Sequence, residues 1–127
     1  MSIVEELLRN AHEDTQLLLK NDALGDKFNL PREVDFLLIA KDQEKASTVC
    51  SFINDNQYGQ ARVDESDGLH NILVQVTMPI EQNIICSVSA LMLCVAHLFG
   101  IEYDGWGCEL RNATQQGIQA DAMVPTL

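Results

Sequence analysis

Basic side chains are scarce in this chain. Eight Lys and Arg stand against nineteen Asp and Glu, a formal net charge of −11 over 127 residues. A surface of that sign repels phosphate backbones, which speaks against direct nucleic-acid binding, and it attracts basic protein segments. Also missing is an uninterrupted apolar run of about 18 residues, so no membrane-crossing helix is expected. The N-terminus, Met1-Ser2-Ile3-Val4-Glu5-Glu6, has neither the basic region nor the apolar block of an export signal, and the expected compartment is the cytoplasm. No C-x-x-C occurs: Cys50, Cys86, Cys94 and Cys108 are spread along the chain without zinc-like pairing and read as reduced, packed thiols. No Gly-rich phosphate loop follows a strand. Asp64, Glu65 and Asp67 lack the ligand spacing of a calcium loop and read as a solvated turn. Neither a metal nor a cofactor is expected.

What is present is a strongly periodic chain of one-domain length, with 46% hydrophobic residues. Ser2-Ile3-Val4-Glu5 matches a capping box, and Val4, Leu7, Leu8, Ala11, Thr15 and Leu18 then predict one helical stripe facing the core. Leu17 and Leu19 lie off it, covered by the next loop or by a partner. Val34–Ala40 is nearly continuous in apolar residues and predicts a central strand covered on most of both faces. Asp42 caps a second helix with Ala46, Val49, Cys50 and Ile53 inward, ending near Asn56. Ala61–Glu65 alternates like an edge strand, Ser66-Asp67-Gly68 is a hairpin turn, and Leu69–Thr77 is a buried strand. Pro79 is expected in the first turn of a third helix carrying Ile80, Ile84, Val88, Leu91, Met92, Val95 and Leu98, closed by Gly100. A last strand follows, with Trp106, Cys108 and Leu110 on one face. Residues 112–127 show no periodicity and are expected to be a mobile tail after a single domain over 1–111. The order, a helix and then βαββαβ, predicts an α+β, ferredoxin-like sandwich. In it a four-stranded antiparallel sheet has helices on one face and strands one and three side by side.

That fold serves many functions, so the side chains must argue for one. RNA-recognition sheets of this topology need aromatics and bases on the open face, and here the central strands offer Phe36 alone. Cys94 and His97 are one helical turn apart, and Glu102, Asp104 and Glu109 could supply a carboxylate pair, but no orienting third group completes either set. An enzyme or small-ligand protein using Cys94, His97 or Glu109 in a sheet–helix pocket remains the rival reading. A homo-oligomer through the greasy first helix is the third.

The densest stretch is Glu102-Tyr103-Asp104-Gly105-Trp106-Gly107, which holds the only Trp. Glycines alternating with large side chains suit a strand with a bulge or a close backbone contact. Tyr103 and Trp106 could be apolar anchors for a partner, with Glu102 and Asp104 as acidic neighbours. Strand alternation favours the other role for Trp106, a core wedge, leaving Asp104, the glycine backbone at Gly105 and Gly107, and Glu109 on the outer side.

Ile101-Glu102-Tyr103-Asp104-Gly105-Trp106-Gly107 resembles the motif that follows the last helix in the bacterial regulators of ribonuclease E activity, type B, the ribonuclease E inhibitor family. Glu13-Asp14-Thr15 and the run from Val34 to Tyr58 are similar as well, and the resemblance spans roughly 5–111. It implies an α+β sandwich and a non-enzymatic protein that binds the scaffold region of ribonuclease E and reduces RNA cleavage. The protein-binding residues implied are Glu102, Tyr103, Asp104, Gly105, Trp106, Gly107 and Glu109. The better-known members end in a strongly acidic tail, whereas 112–127 holds only Asp121.

Overall fold

The computed structural model describes residues 2–112 and the backbone of 123–124. Its elements are α1 (Ile3–Ala23), β1 (Arg32–Ala40), α2 (Gln43–Asp55), β2 (Gln60–Ser66), β3 (Leu69–Met78), α3 (Gln82–Phe99), β4 (Glu102–Glu109) and the two-residue β5 (Met123–Val124). The strands pair antiparallel in the order β2-β3-β1-β4-β5. The first four form the ferredoxin-like α+β sheet, with β1 and β3 adjacent. Apart from Met123–Val124, which pair with Glu109 and Cys108, the segment expected to be a mobile tail lies outside the described residues.

Local chemistry explains the element ends. Ser2 Oγ accepts from the Glu5 amide at 3.1 Å and Glu5 Oε1 accepts from the Ser2 amide at 3.0 Å, completing the capping box. Asp42 caps α2 through the Glu44 amide at 2.8 Å. The β2–β3 hairpin turns through Asp67 and Gly68, both at positive φ, the geometry that suits the right-handed twist of the strands. Gly100 closes α3 in the left-handed conformation, and the Ile101 amide returns to the Ala96 carbonyl. Pro79 precedes this helix instead of opening it, because α3 starts only at Gln82.

The helices lie on one side of the sheet. Val34, Phe36, Leu38, Ile72, Val74, Ala46, Val49, Ile53, Ile85 and Met92 make the core between the layers. The other side of β1 departs from expectation: Leu37 and Ile39 are only half-buried and Glu33 is exposed, so among the described residues no second layer covers that face. By length and composition α3 could cross a membrane, with mean hydropathy 1.7 over Gln82–Phe99, contrary to the expectation that no such segment exists. In this fold it is a core helix, with Ile85, Ser89, Met92, Val95 and Ala96 buried and Leu98 77% exposed.

The first helix is rotated from its apolar stripe. Val4 and Leu8 point to solvent, Leu8 being 68% exposed, while Asp14, Leu18 and Asn21 are buried. Polar side chains occupy this seam because the neighbouring elements supply partners for them, which makes their burial affordable. Asn21 Nδ2, for instance, donates to Asp26 Oδ2 at 3.2 Å. Of the greasy helix end, Leu17 packs against the core and Leu19 stays exposed.

Candidate functional site

The register of β4 on β1 shifts between Phe36 and Leu38. Phe36 faces Trp106 and Leu38 faces Tyr103, so Asp104 and Gly105 together oppose Leu37. Gly105 takes φ +95°, a conformation that a Cβ would strain, which accounts for a glycine at this point in the motif. The bulge sends Tyr103 and Trp106 both towards the helix layer, although they are three positions apart.

Trp106 is 1% exposed and is therefore a core side chain, not a surface anchor. Its Nε1 donates to Asp14 Oδ1 on α1 at 3.0 Å. Asn10 Nδ2 donates to Ser89 Oγ at 3.1 Å and reaches Asp14 Oδ2 at 3.5 Å, and Ser89 Oγ shares a 2.9 Å hydrogen bond with Tyr103 Oη. These side chains bolt α1 to α3 and β4. Burial raises the Asp14 carboxyl above its ordinary range; hydrogen bonds from Ser89 and Trp106 oppose that rise, and Glu13 adds to it. Burial likewise pushes the Tyr103 hydroxyl well up, so Tyr103 is a neutral structural partner here and not an acid–base group.

The remaining motif residues divide between two surfaces. Asp104 is exposed at the bulge and, with Glu13 and Lys20 of α1, lines a shallow groove of about 430 Å³ beside Trp106. Glu102 pairs with Ile39 and Gly107 with Asp35, which puts them on the open face of the sheet, and alternation adds Glu109 there. Gly107 itself is buried, Glu109 is half-buried, and Glu109 lies 3.5 Å from Arg111 Nη2. The motif thus supplies Glu102 to the open face, Asp104 to the groove and its aromatics to the core.

Sequence reasoning missed the partners of that strand on the open face. Gln75 Nε2 donates to Glu33 Oε1 at 3.2 Å and to Asp35 Oδ1 at 3.1 Å, and Arg62 Nη1 reaches Gln75 Oε1 at 3.5 Å. Leu37 lies directly opposite Leu73. The available signal was Asp35 itself: a carboxylate inside an apolar strand marks a face that stays in contact with water. Asp14 carried no comparable signal, since an acid on a helix ordinarily faces solvent.

His97 and Glu109, two side chains of the rival reading, lie apart. His97 is exposed and its Nδ1 lies 3.8 Å from Glu6 Oε2 across the α1–α3 seam, while Glu109 sits on the open face of the sheet. Burial pushes the thiols of Cys50 and Cys86 upward and that of Cys108 to about 11, opposite to the shift an activated nucleophile needs. Among the described residues no group of three or more His, Cys, Asp or Glu could hold a metal ion.

Sheet order and one-sided helices define a ferredoxin-like α+β protein. The chain belongs to the family of regulators of ribonuclease activity, type B, whose model matches residues 11–108. That span includes both Asp14 and Trp106. No curated protein matches the chain.

Proposed function

We propose that this protein is a non-enzymatic regulator that inhibits ribonuclease E by direct contact with the scaffold region of the nuclease, in the cytoplasm, and so slows RNA decay. The observation that carries this reading is family membership across residues 11–108. Physical features support it. A formal net charge of −11 disfavours competition for the RNA itself and favours a basic protein partner. Raised thiol pKa values at Cys50, Cys86 and Cys108 speak against those three as nucleophiles. Free cysteines at all four positions suit a reducing compartment.

Co-purification with the isolated scaffold segment of the nuclease, at low and at high salt, tests this reading. Retention that weakens as salt rises is expected, because exposed charge pairs are screened. Absence of retention even at low salt would sink it.

A further inference from the structure

The open face of the sheet is graded along β1. Glu33, Asp35, Leu37 and Ile39 occupy successive positions on that face, running from acidic to apolar over roughly 20 Å. The acidic end is held in place. One amide, that of Gln75, donates to a carboxylate oxygen of Glu33 and of Asp35, leaving on each a second oxygen with no hydrogen bond from the described residues. The apolar part is short: half-buried Leu37 is set against Leu73, and Ile39 beyond them lies between Asn71 and the exposed Glu102, with Asp64 opposite Asn71. Two bases border this strip: the Arg62 guanidinium is turned to Gln75, and Arg111 Nη2 lies 3.5 Å from Glu109. Carboxylates fixed before a partner arrives lose little freedom on binding, and half-buried leucines still have apolar area to remove from water.

We propose that this face is the docking surface for a protein segment that presents apolar side chains flanked by Arg or Lys, lying along β1. Its basic groups cover Glu33 and Asp35 at one end and Glu102 at the other, and its apolar side chains cover Leu37, Leu73 and Ile39. A helix of about 13 residues or an extended stretch of about 6 matches this length. The proposal rests on the reading of the protein as a ribonuclease E regulator and names the surface it uses and the chemistry of the segment it takes. RNA, the other macromolecule that such sheets bind, is repelled by the carboxylates and finds no aromatic side chain among those named above to stack on.

The test uses the full chain and the purified scaffold segment of the nuclease, followed by calorimetry and by amide chemical-shift mapping. Glu33→Lys is expected to weaken binding about tenfold at roughly 0.1 M salt and far less at roughly 0.5 M, as an exposed charge reversal should. Glu44→Lys on α2 makes the same charge change on the opposite layer and is expected to leave affinity within about twofold. Shifts in the wild-type protein are expected at Leu37, Leu73 and Gln75. Equal weakening by both variants, or shifts confined to Leu91 and Leu98 of α3, would overturn the surface while leaving the partner intact. Absence of binding by the wild-type protein would remove the partner and the surface together. Binding of an RNA oligonucleotide on the same face would overturn the proposed occupant.

Discussion

Trp106 Nε1 donates a 3.0 Å hydrogen bond to Asp14 Oδ1 across a separation of 92 residues. The bond ties the first helix to the last long strand, and it joins two of the three places, Glu13-Asp14-Thr15 and the Ile101–Gly107 motif, where the sequence resembles the regulator family. The tryptophan of that motif therefore serves the fold, and the acids around it serve the surface.

Replacement of Trp106 by Phe keeps an aromatic ring and removes the donor. The buried Asp14 then loses a partner, and the expected loss of stability is about 1–3 kcal/mol, with the missing ring volume adding to it. Urea unfolding measures this. In a double-mutant cycle with Asp14→Asn the two sites are expected to couple by about 0.5–3 kcal/mol; strict additivity would contradict the contact.

Asp14 also sets a pH dependence. Its carboxyl titrates above the ordinary value of 3.8 in the folded protein, chiefly through burial. The folded state therefore holds this proton more tightly than the unfolded chain does. The group's contribution to stability is fully present below 3.8 and is lost as pH rises through the raised folded value. Asp14→Asn is expected to flatten that fall. An unchanged slope in denaturant midpoints as pH rises above 3.8 would contradict the assignment.

Gly105 is the hinge of the β4 bulge at φ +95°. Gly105→Ala forces a Cβ into that conformation and is expected to cost about 1–2 kcal/mol, readable as a lower thermal midpoint. Gly107 lies in a regular pair with Asp35, so Gly107→Ala tests packing instead of backbone strain.

How far these features were legible in the sequence differs by element. The strand order followed from apolar runs, turn residues and crossover handedness, and the alternating glycines of Gly105-Trp106-Gly107 announced a bulge with Trp106 inward. The face of α1 did not follow, because its seam is polar: Asn10, Asp14 and Asn21 hydrogen-bond to Ser89, Trp106 and Asp26, although Asn21 Oδ1 finds no partner among the described residues, and a hydrophobic stripe points elsewhere. The open face of β1 was hidden for a related reason. Leu37 and Ile39 look like core residues in a run that includes Val34, Phe36 and Leu38, and only the three-dimensional layer arrangement leaves them uncovered.

Arg32 opens β1 with a side chain fully withdrawn from water and its Nη1 2.7 Å from Asp26 Oδ1, which is equally buried. It also donates to the backbone carbonyls of Lys27, Leu30 and Glu109, pinning the connector after α1 against the end of β4. Asp26→Ala leaves a buried guanidinium without its counter-ion and is expected to cost about 3–5 kcal/mol in urea unfolding. Replacing both partners together, as Arg32→Met with Asp26→Leu, is expected to cost less than that single change.

The central claim, regulation of ribonuclease E by direct contact, is tested most directly by the initial rate of RNA cleavage by the purified nuclease as this protein is added. The comparison is between the complete nuclease and a form without its scaffold region. A rate that falls and saturates as the protein approaches equimolar amounts, with the truncated nuclease unaffected, is the predicted result. An unchanged rate with the complete nuclease, or equal inhibition of both forms, would contradict it.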